Sequence, residues 1–197
     1  MTTLLRVLLN VTGSAWLALE VALLLRDRAR AKGSTADDRG TRTLNFGLIL
    51  AAVVAAGVLT AAAGAHSPLW LPDARTGGWQ VVPGLAIAWL GLALRIWAIA
   101  TLGRSFRTTV EVDAGQPVVT RGPYRWVRHP SYTGLLLIAA GIGLADGTWP
   151  GLAICLLLPT VALTHRIRVE EAALAQTLGA PYRAYQTHTK RLVPGLW

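Results

Sequence analysis

The chain is predicted to fold as an all-α, polytopic membrane bundle, and three features of the sequence point to it. Hydrophobic residues make up 53% of the 197 and charged residues 15%, against about 25% charged in a soluble domain. Apolar runs recur at lengths that match a bilayer. The basic residues crowd into the gaps between those runs, mostly on one side. A chain of this length holds one compact bundle, so residues 1–197 are read as a single membrane domain, with two spans in 1–80 and a core in 81–197.

About five helical segments are expected. Leu4–Leu25 is apolar apart from Arg6, Asn10 and Glu20. At the helical rise it reaches about 33 Å, enough to cross a hydrocarbon core of about 30 Å. The run is too long for a signal-peptide core and lacks a small-x-small site before Arg26, so it reads as a retained span. Leu44–Ala65 is the second span, and its alanines and glycines suit close helix packing. His66–Gln80 is a loop marked by Pro68 and Pro72, with Trp70 and Trp79 placed as interfacial anchors. Val81–Leu102 is the third span, and the polar stretch Gly103–Arg128 follows it. Ser131–Ala145 and Trp149–Thr164 are apolar but short, about 23–24 Å each. Asp146, Gly147 and Thr148 form a tight turn between them. The two are either thin tilted spans or a helical hairpin that does not fully cross, and both readings return the chain to its starting side. A cytoplasmic C-terminal helix is expected over Arg166–Leu178, stopped at Gly179 with Pro181 beyond it.

The formal charge of +9 could suit nucleic acid, but its distribution suits a membrane. Loop 26–43 carries six basic residues, 103–130 five and the tail 166–197 five, while loop 66–80 carries only Arg75. Sixteen against one places the first three segments in the cytoplasm. The lone Cys155 rules out an intrachain disulfide and a cysteine-rich metal site. The four histidines are scattered, which argues against a catalytic metal. No phosphate-binding glycine loop, dinucleotide fingerprint or serine-nucleophile motif is present. Arginine outnumbers lysine 17 to 2, a genomic bias of bacterial character.

Chemistry could lie in three places. Arg95 sits in the third span, about 10 Å of helix from its cytoplasmic end, where an arginine either meets a partner or wet cavity or snorkels outward. Around Arg121–Tyr132, Gly122 and Pro123 start a short helix that carries Arg121, Arg125 and Arg128 on one face, and Pro130 disfavours helical geometry at His129. An exposed kink at the mouth of the fourth segment follows. A collar on lipid phosphates would account for the arginines, but not for two tyrosines and a histidine-proline pair beside them. Arg166 and Glu170 are one helical turn apart, an ornamental pair if exposed or a cation and an anion offered to a ligand.

These residues stand within an ordered series: Leu94-Arg95-Ile96-Trp97-Ala98, Phe106 to Glu111, Val118 to Tyr124, Arg128-His129-Pro130-Ser131-Tyr132-Thr133-Gly134, Glu170-Glu171, Leu178 to Tyr185 and Thr189 to Pro194. The series, from about Leu90 to Pro194, resembles the isoprenylcysteine carboxyl methyltransferase family, related to the phospholipid methyltransferases. The resemblance implies that 81–197 is a methyltransferase core using S-adenosylmethionine from the cytoplasmic side, without a dinucleotide-binding domain. It implies that Glu111, Gln116, Pro117, Val118, Val119, Tyr124, His129, Pro130, Ser131 and Tyr132 bind the cofactor. Arg166 and Glu170 would meet the methyl acceptor. Gln116 stands where the family often has histidine, and its amide keeps a hydrogen-bonding head.

The implied partners are membrane lipids and a lipophilic or lipidated acceptor, most simply a carboxylate of isoprenylcysteine type, with no nucleic acid and no metal. A phospholipid amine or a small thiol is the alternative acceptor. An NADPH-dependent membrane reductase and a non-enzymatic membrane protein are the competing classes.

Overall fold

The computed structural model of the protein describes residues 3–30, 41–63, 67–72, 74, 78–107, 116–195 and 197. Among these are six α-helices: α1 (Thr3–Arg30), α2 (Thr41–Ala62), α3 (Val81–Leu102), α4 (Pro130–Asp146), α5 (Trp149–Thr177) and α6 (Ala180–His188). Two 3-10 turns, Gly103–Ser105 and Gly122–Arg125, flank the polar stretch after α3. The described residues contain no strand, only the isolated bridges Trp70–Thr148 and Val127–Lys190. Helices α1, α2, α3 and α5 are long and apolar enough to cross a membrane, and α4 is a shorter apolar helix. Large hydrophobic side chains such as Leu90, Leu157 and Val161 are exposed on the bundle, as lipid contact requires.

The helical architecture agrees with expectation, and two boundaries do not. The short span over Trp149–Thr164 and the separate tail helix over Arg166–Leu178 are one continuous helix of 29 residues, with Pro159 inside it. His165 and Arg166 change the polarity of the chain but supply no helix stop, and polarity alone does not end a helix. Helix α6 was not anticipated. Gly179 takes φ +63, which an L side chain resists, and Pro181 then opens a new helix, where a missing N–H costs nothing.

The two ends of the bundle are defined by contacts. At one end, Arg26 Nη2 donates to Phe106 O at 3.0 Å, joining the end of α1 to the segment after α3. At the other, Trp149 N donates to Leu69 O and Leu71 N to Gly147 O, both at 2.9 Å, joining loop 67–72 to the α4–α5 turn. The α4–α5 pair thus runs out from the first end and returns to it.

Helix α2 packs its small residues against α5, with Ala52 and Ala56 fully buried and Cys155 Sγ over Ala52 O, and the closest backbone approach lies between α3 and α4. A Cβ on Gly91 would lie 2.6 Å from Gly134 O, and one on Gly141 would lie 2.5 Å from both Ala88 N and Gly84 O. Backbones this close gain dispersion contact without a hydrophobic drive, the usual means of association in lipid. Trp16, Ile49, Leu92, Leu135, Ile138 and Leu163 form one buried cluster to which each of α1 to α5 contributes.

Gly134→Ala places a Cβ 2.6 Å from Gly91 O and 2.9 Å from Arg95 N. It is expected to destabilise the protein by about 1–3 kcal/mol in chemical unfolding in detergent. Gly57→Ala, with no atom within 4 Å of its Cβ, is expected to leave stability unchanged or slightly raised.

Candidate functional site

The polar segment before α4 is shaped by two prolines. Pro123 lies in the first turn of the 3-10 helix that carries Tyr124. Pro130 begins α4 and leaves His129 outside helical space at φ −123, ψ 57, as a residue before proline prefers. The kink is buried, contrary to expectation, with His129 5% exposed. The C-terminal tail covers it: Arg128 N donates to Lys190 O at 2.8 Å and His129 N to Arg191 O at 3.0 Å.

One carboxylate holds this assembly. Glu171 Oε1 accepts from Arg128 Nε at 2.8 Å and lies 3.2 Å from His129 Nε2. Its Oε2 accepts from Arg191 Nε at 2.9 Å. Arg128 also donates to Gln186 O at 3.2 Å and to Thr189 O. The arginines expected to share a lipid-facing collar are therefore not alike, because Arg128 is an internal tie while Arg125 stacks over Trp126 at 4.1 Å.

A cavity of about 850 Å³, counting its mouth, opens beside this tie. Gln116, Pro117, Val118 and Val119 form one wall, and Tyr124, His129, Ser131 and Tyr132 another. Glu170, Tyr182 and Tyr185 complete it from α5 and α6. Tyr185 Oη donates to Tyr124 O at 2.5 Å. Burial pushes the Tyr185 phenol up to about 12. Burial, and then the Glu170 carboxylate, raise the Tyr124 phenol further. Both therefore stay protonated at neutral pH and serve as hydrogen-bond donors, not as bases. The buried hydroxyl of Tyr182 has no hydrogen-bond partner among the described residues.

Tyr132 stands between this cavity and a second one. Its hydroxyl accepts from Arg166 Nε at 2.7 Å and donates to Glu170 Oε2 at 2.6 Å, and its ring stacks on His129 at 5.5 Å. The second cavity, about 580 Å³ counting its mouth, is lined by residues of α1 to α5 and by Phe106 and Arg107. Its walls include Trp16, Leu24, Phe46, Ile49, Leu135 and Leu163, and its polar residues include Glu20, Asn45, Arg95 and Arg166. Arg95 has a partner rather than a path to the surface. Its Nη2 donates to Glu20 Oε2 at 2.9 Å, its Nε approaches Oε1 at 2.8 Å as a purely ionic contact, and its Nη1 donates to Ser131 Oγ at 2.7 Å.

Of the residues the sequence singled out, Gln116, Pro117, Val118, Val119, Tyr124, His129, Ser131, Tyr132 and Glu170 line the first cavity. Arg166 is buried and lines the second. Pro130, the opening residue of α4, lines neither cavity. Glu111 falls outside the described residues. Arg166 and Glu170 are not an exposed surface pair; both bind the Tyr132 hydroxyl. Sequence reasoning gave Arg128 only a place on a lipid-facing collar, and gave no role to Glu171, Arg191, Tyr182 or Tyr185. The two tyrosines lie on α6, which the sequence reading did not anticipate, and the ion cluster spans 63 positions of chain, from Arg128 to Arg191, and had no local signal. Neither had Glu20, 75 residues from Arg95.

Residues 84–176 match the model of the isoprenylcysteine carboxyl methyltransferase family. The chain is 32% identical over 96 residues to YpbQ, an uncharacterised protein of Bacillus subtilis, covering 45% of this chain and 57% of that one. It is 30% identical over 133 residues to a protein-S-isoprenylcysteine O-methyltransferase of Tribolium castaneum, covering 64% and 45% respectively. A solved structure of the eukaryotic intramembrane Ras methyltransferase of this family matches with a TM-score of 0.59 at 30% identity, over 64% of this chain and 46% of that one. The chain spans about half the length of the curated relatives it matches.

Glu171→Ala leaves two arginines and a histidine around an empty position. It is expected to cost about 3–5 kcal/mol in chemical unfolding, and to make the tail after α5 cleavable in limited proteolysis.

Proposed function

We propose that the protein, whose residues 84–176 belong to the isoprenylcysteine carboxyl methyltransferase family, is an integral membrane methyltransferase that moves a methyl group from S-adenosylmethionine to a lipophilic carboxylate. The observation that carries this reading is that two cavities of different character meet at Tyr132. One is polar and aromatic. The other is largely apolar, lies among membrane helices and is lined by the buried Arg95 and Arg166. A polar donor and a greasy acceptor need such a pair of chambers with one shared wall.

The first cavity fits the cofactor. The apolar strip Pro117–Val119 beside the polar heads of Gln116, Tyr124, Ser131 and Glu170 suits a molecule with a flat base, a polar ribose and a charged tail. Gln116, Pro117, Val118, Val119, Tyr124, His129, Ser131 and Tyr132 would hold it, with Pro130 fixing the backbone that presents His129. Bound there, S-adenosylmethionine supplies an electrophilic methyl group on a cationic sulfonium. Glu170 places a carboxylate beside that positive charge, and the ring of Tyr132 adds a π-face.

The acceptor would occupy the second cavity, reached sideways from the bilayer. A carboxylate is already anionic at neutral pH, so no general base is required. The work left to the protein is alignment and exclusion of water. Arg166 orients the anion by charge-assisted hydrogen bonding, and Tyr132, fixed by Glu170, holds Arg166. The excess of basic residues on one side supports a cell-membrane location with the site facing the cytoplasm.

Calorimetric titration of detergent-purified protein with S-adenosylhomocysteine is expected to give micromolar binding that His129→Ala weakens at least tenfold. A folded protein that ignores this ligand would remove the cofactor from the reading.

Arg166→Ala is expected to lower kcat/KM for a prenylcysteine carboxylate by about 100-fold or more, with affinity for S-adenosylhomocysteine within about threefold of wild type. With a carboxylate acceptor the rate is expected to stay flat from about pH 6 to pH 9, since the acceptor is ionised throughout and Tyr124 and Tyr185 titrate above this window. A rate rising about tenfold per pH unit would instead identify an amine or thiol acceptor.

A further inference from the structure

Three arginines line the second cavity, Arg95, Arg107 and Arg166, and among the described residues one carboxylate lines it with them, Glu20. Arg95 takes up that carboxylate. Its Nη2 donates to Glu20 Oε2 at 2.9 Å, and its Nε lies 2.8 Å from Oε1. Its Nη1 donates to Ser131 Oγ at 2.7 Å, so all three guanidinium nitrogens are committed. Both side chains of the pair are enclosed, Arg95 at 5% exposure and Glu20 at 12%. Arg166 is tied instead to the hydroxyl of Tyr132, a residue that lines both cavities. Arg107 stands in a partly exposed position, where solvent screens its charge.

The enclosed pair acts on a ligand through its field, without contact. Away from water, charges are weakly screened and interact over several ångströms. An anion arriving at Arg166 meets in Arg95 and Glu20 two charges that cancel at a distance. A second anionic group on the same molecule finds Arg95 already occupied and is repelled by the Glu20 carboxylate. A leucine at 20 would instead leave Arg95 as a second cation in the chamber. We propose that Glu20 is a specificity-determining residue, which by cancelling Arg95 limits the chamber to acceptors with one anionic group at the reacting end and refuses dicarboxylates. Discrimination of this kind comes from a repulsive group as much as from an attractive one. The inference rests on the reading of this cavity as the acceptor chamber. Glu20 precedes 84–176, so this selectivity would belong to α1 and not to the matched core.

The probes are dodecanoate and decylmalonate, the same chain with a second carboxylate on its α-carbon. Their binding to the full chain with S-adenosylhomocysteine present is measured by calorimetry at about pH 8, where every carboxylate is ionised. Methyl transfer from S-adenosylmethionine is followed separately. Wild type is expected to bind dodecanoate at least about tenfold tighter than decylmalonate. Glu20→Gln is expected to lower that ratio at least about tenfold, because Arg95 is then an unopposed cation. Combining it with Arg95→Gln removes both charges and is expected to restore the wild-type ratio, which a packing defect at position 20 would not allow. Should Glu20→Gln fail to fold, Arg95→Gln leaves Glu20 as the unopposed charge. It is then expected to weaken dodecanoate at least about tenfold against dodecanamide, the neutral probe of the same chain. Failure of folded wild type to bind either probe, equal binding of the two, or a ratio that these variants leave unchanged overturns the inference. So does a ratio that stays shifted in the double variant. The expected ratios without methyl transfer leave the inference standing and remove the methyltransferase reading, whereas methyl transfer without discrimination does the reverse.

Discussion

The Glu171 carboxylate gathers Arg128 and His129 from the approach to α4 and Arg191 from the C-terminal tail, and the geometry of the first cavity follows from that contact. Each partner alone would be a buried or half-buried cation or a polar ring needing a counterpart. With the carboxylate in place, the tail pairs its backbone with residues 128 and 129, and α6 is drawn against the 3-10 turn so that Tyr185 reaches Tyr124. A buried ion cluster of this kind is weak evidence for stability as such. Its effect is positional, since it selects one arrangement of three segments that have few other strong contacts.

A different constraint governs the membrane part. Lipid offers no hydrophobic drive for helix association, and α3 and α4 answer with glycines that bring their backbones into contact. That close crossing puts Arg95 of α3 beside Ser131 of α4, and the arginine then needs an anion within reach. Glu20 of α1 supplies it. An ion pair inside the bundle thereby ties the N-terminal helix to the first turn of α4, where Ser131 lines the first cavity and Tyr132 lines both.

Tyr132 is where the two constraints join. Its position is set from the polar side by the stack on His129 and from the membrane side by Arg166 and Glu170. One hydroxyl serving as acceptor to a cation and donor to an anion keeps both charges paired at the end of an apolar chamber. Displacement of any one member would move the wall between the cavities, which is why residues of opposite charge four apart on α5 have a meaning that their spacing alone does not disclose.

The apolar helices α1 to α5 were legible from the sequence, because a bilayer demands runs of apolar residues and of a set length. The polar side was legible from the skew of arginine between loops. Most of the first cavity's walls were legible too, from Gln116 to Val119 and from Tyr124 to Tyr132, since prolines and aromatics in that order mark a local shape. Local sequence could not place the ends of α5, where polarity changes without a helix stop, nor assign Glu171, Arg191 and Tyr182 to the site. Arg95 announced that it needed a partner but not that the partner was Glu20. Those choices were made by tertiary structure, because which buried charge meets which depends on distances between helices that no local pattern encodes.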